Sequence, residues 1–95
     1  MDTPRLIVVD DEPDLRTLIA DYLGRNGFLV RTAANARALD VHLAEEDADL
    51  LILDVDMPGE NGVSIARRIR ADSNLPILML TAAGGLLDRV LALEI

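Results

Sequence analysis

Short apolar runs alternate with helical patterns along this chain, and the alternation limits the folds that it can adopt. Each run has the length and aliphatic content of a buried strand, and each precedes a segment whose apolar residues recur every three or four positions. Tandem strand–helix units imply right-handed crossovers and a doubly wound parallel sheet with helices on both faces. The predicted strands span residues 5–9, 28–32, 50–53 and 77–80, and the third, apolar on both faces, is expected at the centre.

The first predicted helix has the clearest pattern. Its apolar residues form one stripe that is expected to face the core, and Asn26-Gly27 suits a left-handed cap at its end. The stripe consists of Leu15, Leu18, Ile19, Tyr22 and Leu23.

The later helices have weaker patterns. Asn35 can cap the second helix, which is expected to end near residue 46. The third runs to about Ala71 and carries arginines on its exposed face. The fourth is expected to begin near Leu86 and to continue through Leu91 toward Ile95.

Composition excludes several classes of protein. The 95 residues, 51% of them hydrophobic, suffice for one packed domain and not for two. The absence of cysteine excludes a disulfide framework, and the formal charge of −8 disfavours direct nucleic-acid contact while favouring cationic partners or a bound cation. No apolar run approaches the length that spans a membrane, and no signal-peptide pattern is present, so we expect a cytoplasmic protein without membrane contact.

Acidic and hydroxyl side chains stand at the carboxyl ends of three predicted strands. Asp10 and Asp11 follow the first strand, Asp54 follows the third, and Thr81 follows the fourth. These ends share one rim of a doubly wound sheet, where ligands bind. Three carboxylates forced together repel one another unless a cation lies between them, and an all-oxygen ligand set favours Mg²⁺. Beside such an ion a carboxylate can act as the nucleophile in phosphoryl transfer, and the hydroxyl could hydrogen-bond the phosphoryl group.

The motifs at these strand ends resemble a known family. The sequences VVDDE at 8–12, LDVDMPGENG at 53–62 and LTA at 80–82 are similar, in order and spacing, to the receiver domain of two-component response regulators. The resemblance runs from Arg5 to the end of the chain. It implies an α/β, flavodoxin-like fold with strand order 2-1-3-4, lacking the family's fifth strand and helix.

The resemblance also implies a role for each site residue. Asp54 would accept a phosphoryl group from the histidine of a sensor kinase. Asp11 and Asp54 would ligate Mg²⁺ directly, Asp10 would act largely through water, and the backbone carbonyl of Asp56 would complete the protein ligands. Thr81 would be the switch hydroxyl. The resemblance implies a regulatory domain and not an enzyme. It also implies an output such as transcription, because residues 85–94 are similar to receivers joined to winged-helix DNA-binding domains.

The chain departs from the family pattern in two respects. All nine basic residues are arginine, so the lysine that the family places opposite the phosphoacceptor has no counterpart. The family's last strand and helix have no matching sequence either. We therefore expect a receiver domain over residues 1–95 that is incomplete at its C-terminus, with the strand at 77–80 left as an apolar edge. Such an edge favours pairing with a second copy through the open side.

Two other functions remain open from the sequence. The triplet Asp54-Val55-Asp56 also resembles the haloacid-dehalogenase phosphatases, although that family places its motif on the first strand and has Thr or Val where this chain has Pro58. A receiver-like docking module that never takes phosphate is the other alternative, favoured by the missing lysine. Thr81 also has a structural interpretation, as the cap of a following helix.

Overall fold

The computed structural model describes residues 3–81 and 91–94, and for Thr81 and 91–94 it describes the backbone. Strands and helices alternate through the first seven described elements, and an eighth element follows as a strand. The elements are β1 (Arg5–Val9), α1 (Pro13–Arg25), β2 (Leu29–Ala33), α2 (Ala36–Glu45), β3 (Leu50–Asp54), α3 (Gly62–Asp72), β4 (Ile77–Thr81) and β5 (Leu91–Glu94). Of the helices in this part of the chain, none is long and apolar enough to cross a membrane.

The strands form one sheet of order β2-β1-β3-β4-β5 across the described residues. The first four are parallel, which confirms the predicted doubly wound α/β fold with order 2-1-3-4. A fifth parallel strand with its helix is not among the described elements. In the register of the sheet, Val9 pairs with both Ala33 and Leu53, and Asp54 pairs with Leu80. The carboxyl ends of β1, β3 and β4 therefore lie at one rim.

The core is divided by the sheet into two unequal parts. Because successive strand residues face opposite sides, the fully buried Val8 and Val9 belong to different clusters. The larger cluster joins the sheet to α2 and α3, and includes Leu39 and Ile65. The smaller joins the other face to α1 through partly buried side chains such as Ile19. Burial of β1 and β3 on both faces confirms the predicted central position of β3.

Local signals place most element boundaries where the sequence predicts them. The Asn35 side chain accepts a hydrogen bond from the Ala38 N–H at 2.9 Å and so caps α2, as predicted. Gly27, which follows the C-cap residue Asn26 of α1, has φ of 94°, the left-handed conformation that the Asn26-Gly27 pair indicates. The second strand begins one residue later than predicted, at Leu29.

The prediction that the α1 stripe faces the core is confirmed for Ile19 and Leu23 and is wrong for Leu18 and Tyr22. Leu18 and Tyr22 are each 62% exposed, and no residue of α1 is buried. The physical reason is that α1 covers one part of a wide sheet face, so Ile19 and Leu23 pack against the sheet while their neighbours overhang it. The result is an open apolar groove of about 450 Å³. It is lined by Leu18, Ile19, Tyr22, Leu23, Ile52, Leu78 and Leu80.

The prediction of a helix through Leu91 toward Ile95 is also wrong where the structure describes it. Residues Leu91–Glu94 form β5, antiparallel to β4, with Thr81 opposite Leu91 and Leu78 opposite Glu94. An unpaired β4 edge offers backbone donors and acceptors, and pairing satisfies them, which outweighs a weak helical stripe. The edge of β4 is consequently filled along this stretch. The predicted start of the helix, residues 86–90, lies outside the described residues.

Candidate functional site

Three carboxylates meet where β1 and β3 end. One oxygen from each of Asp10, Asp11 and Asp54 lies within 4.8 Å of the other two. The convergence follows from the register: Val9 and Leu53 are direct partners, so Asp10, which follows β1, and Asp54, the last residue of β3, stand at the same level. The structure thus brings together the three acidic side chains that the sequence predicts to meet.

The cluster suits a small divalent cation. Oxygens on opposite sides of an Mg²⁺ ion are about 4.2 Å apart, twice the usual Mg–O distance, which is compatible with carboxylate oxygens that all lie within 4.8 Å of one another. Asp10 is buried, Asp54 is partly buried and Asp11 is exposed. One side of the cluster therefore faces water, which Mg²⁺ retains as ligands. The donor set and its exposure both fit this ion.

Asp10 is held at each of its polar groups. Its N–H donates to the Ala33 carbonyl at 3.1 Å, and its carboxylate accepts from the Glu12 N–H at 2.9 Å. Its carbonyl accepts from Nη1 of Arg16 at 2.7 Å. Burial raises the pKa of the Asp10 carboxyl group, and the charges of Asp11 and Glu12 add to this, while the hydrogen bond from Glu12 and the positive charge of Arg16 oppose it.

Asp54 titrates well above its ordinary range. Partial burial, followed by repulsion from Asp10 and Asp11, raises its pKa from 3.8 to about 6. A hydrogen bond from the Asp56 N–H to Oδ1, 3.2 Å long, opposes the rise. Without a cation the cluster therefore retains a proton to nearly neutral pH. A divalent ion would offset the repulsion among the three carboxylates, which is the second cause of this rise after burial.

Glycine fixes the loop between β3 and α3 beside Asp54. A Cβ on Gly62 would collide with the Asp54 carbonyl oxygen, so the backbone approaches at a distance that other residues do not permit. The Gly62 N–H donates to the Val55 carbonyl at 2.9 Å. Gly59, with φ of 78°, supplies the left-handed turn, and the Asn61 side chain caps α3 at the Ser64 N–H. The loop is thus built closely onto the end of β3.

A charged cluster ties the same loop to two helices. Arg68 of α3 donates to both Glu60 oxygens, at 3.0 and 3.2 Å, and to Asp40 of α2 at 3.1 Å. Ser64 also donates to Glu60, at 2.8 Å. These hydrogen bonds, that of Arg68 first, lower the pKa of Glu60. The arginine that the sequence indicates as part of a solvated face therefore braces the loop after Asp54.

The structure leaves the predicted roles of Asp56 and Thr81 untested. The Asp56 side chain is exposed, and the N–H of this residue is the donor to Asp54. The metal-ligating role of its carbonyl stays a prediction. Thr81 ends β4, one residue after the Asp54 partner Leu80, so its backbone reaches the same rim. Its hydroxyl lies outside the described part of the structure, and the switch role stays a prediction.

Arg16 is a site neighbour that the sequence analysis missed. It is the fourth residue of α1, and helical side chains incline toward the N-terminus, so its guanidinium reaches back to Asp10. The signal was available as spacing: an arginine six positions after Asp10, just inside a helix that begins at the site.

Comparison with known protein sequences points to one family. Residues 6–95 match the family described as the response regulator receiver domain. Protein PetR of Rhodobacter capsulatus is 46% identical over 94 residues, which are 96% of this chain and 38% of that protein. The transcriptional regulatory protein GltR of Pseudomonas aeruginosa is 43% identical over 93 residues, 95% of this chain and 38% of that protein. The chain thus spans well under half the length of these curated relatives.

Solved structures agree with the sequence comparison. A chemotaxis response regulator of Vibrio cholerae superposes with a TM-score of 0.82 at 29% identity, over 90% of this chain and 74% of that one. The response regulator TrrA of Thermotoga maritima, solved in complex with Mg²⁺ and BeF, gives a TM-score of 0.80 at 36% identity, over 86% of this chain and 72% of that one.

The order of the elements separates the two families that the Asp54 motif resembles. A haloacid-dehalogenase phosphatase would carry the motif on its first strand, whereas Asp54 ends β3 and the acidic pair Asp10-Asp11 ends β1. The family match extends over nearly the whole sequence, and the fold and the clustered carboxylates agree with it. The chain belongs to the receiver domains of two-component response regulators.

Proposed function

We propose that this chain is a phosphoacceptor, which takes a phosphoryl group from a sensor kinase histidine onto Asp54 in an Mg²⁺-dependent reaction and regulates an output such as transcription. Receiver domains of response regulators interact with sensor histidine kinases, and they are regulatory modules and not classical enzymes. The observation that carries the proposal is the meeting of Asp10, Asp11 and Asp54 at one rim of the sheet.

The chain offers a ligand set for the ion. Asp11 and Asp54 would bind Mg²⁺ through their carboxylates, Asp10 would act largely through water, and Asp56 would contribute its backbone carbonyl. When bound there, the ion would offset the negative charge on the transferring phosphoryl oxygens.

The reaction itself belongs to the Asp54 carboxylate. An Asp54 oxygen attacks phosphorus, the N–P bond of the phosphohistidine breaks, and its electron pair remains on the imidazole nitrogen. The pKa of Asp54 is about 6 without a cation, so its carboxylate is ionised at neutral pH and available as the nucleophile. The Thr81 hydroxyl is proposed to hydrogen-bond the phosphoryl group after transfer.

Labelling with a small phosphodonor tests the nucleophile. In the presence of Mg²⁺ the wild-type chain should gain one phosphoryl group by intact-mass spectrometry, and Asp54→Ala should gain none because the attacking oxygen is removed. Asp47→Ala, which removes an exposed carboxylate away from the cluster, is the matched control and should label normally. Persistent labelling of Asp54→Ala would show that another residue is the nucleophile.

A docking module that never takes phosphate is the second candidate, because the sequence contains no lysine. It predicts that BeF, a mimic of the phosphoryl group, fails to bind in the presence of Mg²⁺, whereas the phosphoacceptor binds it. Sustained hydrolysis of a phosphate monoester would contradict both.

Pairing with a second copy stays a prediction, with a changed location. Because β5 fills the β4 edge, the open side among residues 3–81 and 91–94 is the groove beside α1, where Leu18 and Tyr22 are exposed. Sedimentation of the wild-type chain against Tyr22→Gln tests it: a dimer that the substitution dissociates supports pairing there, and a monomer in both contradicts it.

A further inference from the structure

We propose that Arg16 is a positioning residue for the metal site, holding the turn between β1 and α1 that presents Asp11. The inference deepens the proposed function and rests on it. Among the described residues, Arg16 is the one arginine whose guanidinium donates a hydrogen bond to Asp10.

The turn needs such a restraint because α1 begins without an ordinary cap. Its N-cap residue, Glu12, makes no side-chain capping bond within the described structure. A helix start usually relies on a side chain that accepts from the first free N–H groups. Here the Asp10 carboxylate accepts from the Glu12 N–H instead. The start of the helix is therefore tied to the same residue that supplies one of the clustered carboxylates.

Arg16 completes this connection from the helix side. Its Nη1 donates to the Asp10 carbonyl at 2.7 Å in a partly buried position, a short bond from a charged donor. The end of β1 and the first turn of α1 are thereby joined on both sides of Asp11. Asp11 itself is exposed, so the main chain on either side of it determines where its carboxylate stands.

Charge and positioning make opposite predictions for Mg²⁺ binding. Removing a positive charge next to three carboxylates would, by Coulomb's law alone, strengthen the attraction of the cluster for a cation. Removing a restraint on the turn would weaken binding, because Asp11 would have to be ordered when the ion binds. The direction of the change therefore separates a residue that positions the turn from one that merely adds charge.

The experiment compares Mg²⁺ dissociation constants by titration calorimetry on the full chain. Arg16→Met, which keeps the apolar stem, should weaken binding by about threefold to tenfold, at or below the lower end of effects seen for groups that orient metal ligands. Arg16→Lys retains a charged donor and should recover most of the loss. Arg25→Met is the control: Arg25 lies at the far end of α1, exposed, with a bond to the Asp21 carbonyl at 3.4 Å, and should leave binding unchanged.

Each outcome decides the matter. Equal or tighter binding by Arg16→Met, or no recovery in Arg16→Lys, overturns the inference and leaves the proposed function intact. If the wild-type chain binds no Mg²⁺, the Arg16 inference and the proposed function both fail. Labelling of Asp54 by a phosphodonor then tests the proposed function independently. Urea unfolding without Mg²⁺ verifies that the variants are folded. If Arg16→Met is unfolded, Arg16→Gln replaces it as the variant without the charge, and it should weaken Mg²⁺ binding to the same extent.

Discussion

Asp54 ionises at different pH values in the folded and unfolded chain. Its pKa is about 6 in the folded state, where partial burial and two neighbouring carboxylates oppose the charge, against 3.8 for an isolated aspartate. Between these values the folded state binds more protons than the unfolded state. Stability therefore falls as the pH rises through this range, and the full penalty is present above the folded pKa.

Replacing Asp54 with asparagine should stabilise the metal-free protein in a pH-dependent way. Above about pH 7 the gain in the free energy of unfolding should be on the order of 1–2 kcal/mol, the pKa difference discounted for solvent screening. Below about pH 3 the gain should vanish, because the wild-type carboxyl group is then largely protonated in both states. Urea denaturation at the two pH values measures it, and an equal gain at both would show that charge is not the cause.

Two glycines with opposite surroundings test the packing of the loop after Asp54. Gly62→Ala should lower the free energy of unfolding by about 1–3 kcal/mol, since the new Cβ would collide with the Asp54 carbonyl. Gly24→Ala lies in α1 with no atom within 4 Å of its new Cβ and should raise stability by about 0.5–1 kcal/mol. Urea midpoints compare them; a harmless Gly62→Ala would mean that the loop can move away from β3.

At the scale of elements, Arg31 connects the edge strand β2 to the end of α2. Its guanidinium donates to the carbonyls of His42, Glu46 and Asp47, at 2.9, 3.1 and 3.4 Å. The His42 carbonyl, in the last turn of the helix, also accepts from the Glu46 N–H at 3.1 Å, while the other two follow the end of the helix, where intrahelical donors are missing. One side chain thus satisfies a helix end and anchors a strand that has a neighbour on one side alone in the described sheet.

Arg31→Lys should lower stability by about 1–2 kcal/mol, because a lysine cannot donate to three separated carbonyls from a planar fork. Arg37→Lys, an exposed position in the first turn of α2, is the matched control and should change stability by less than about 0.5 kcal/mol. Equal effects of the two substitutions in thermal or urea unfolding would show that Arg31 does not cap the end of α2.

Predictability from sequence differed among the elements for physical reasons. β1 and β3 are apolar on both faces and end in acidic residues, so their positions, and hence the meeting of Asp10 and Asp54, followed from pattern alone. β2 is half exposed, and its start was misplaced by one residue. The leucine-rich stretch near Leu91 fits a helix or a strand equally well, and only the unpaired edge of β4 decides between them. Arg16 was missed because its contact depends on helix geometry and not on a motif.

At the scale of the whole molecule, the two faces of the sheet differ in how well they are covered. α2 and α3 bury one face, where Leu39 and Ile65 are fully enclosed. On the other face the described residues place α1 alone, and the groove beside it remains open. Most of the hydrophobic stabilisation should therefore come from the first face.

Substitutions on the two faces should differ accordingly. Leu39→Ala should cost about 2–5 kcal/mol, because it leaves a cavity in the larger cluster. Tyr22→Gln should change stability by no more than about 0.5 kcal/mol, since the side chain is 62% exposed. Urea unfolding at low protein concentration measures both, and a large loss for Tyr22→Gln would show that the groove is covered in solution.

Because the three carboxylates share one rim, protons and divalent cations compete there for the same oxygens. Under the proposed function, acidification toward about pH 6 therefore weakens apparent Mg²⁺ affinity, and added Mg²⁺ displaces protons in equal measure. The apparent Mg²⁺ affinity measured for an unchanged binding site would then depend on the pH of the buffer. If the proposed function holds, acidity and Mg²⁺ concentration would therefore act on the same three carboxylates.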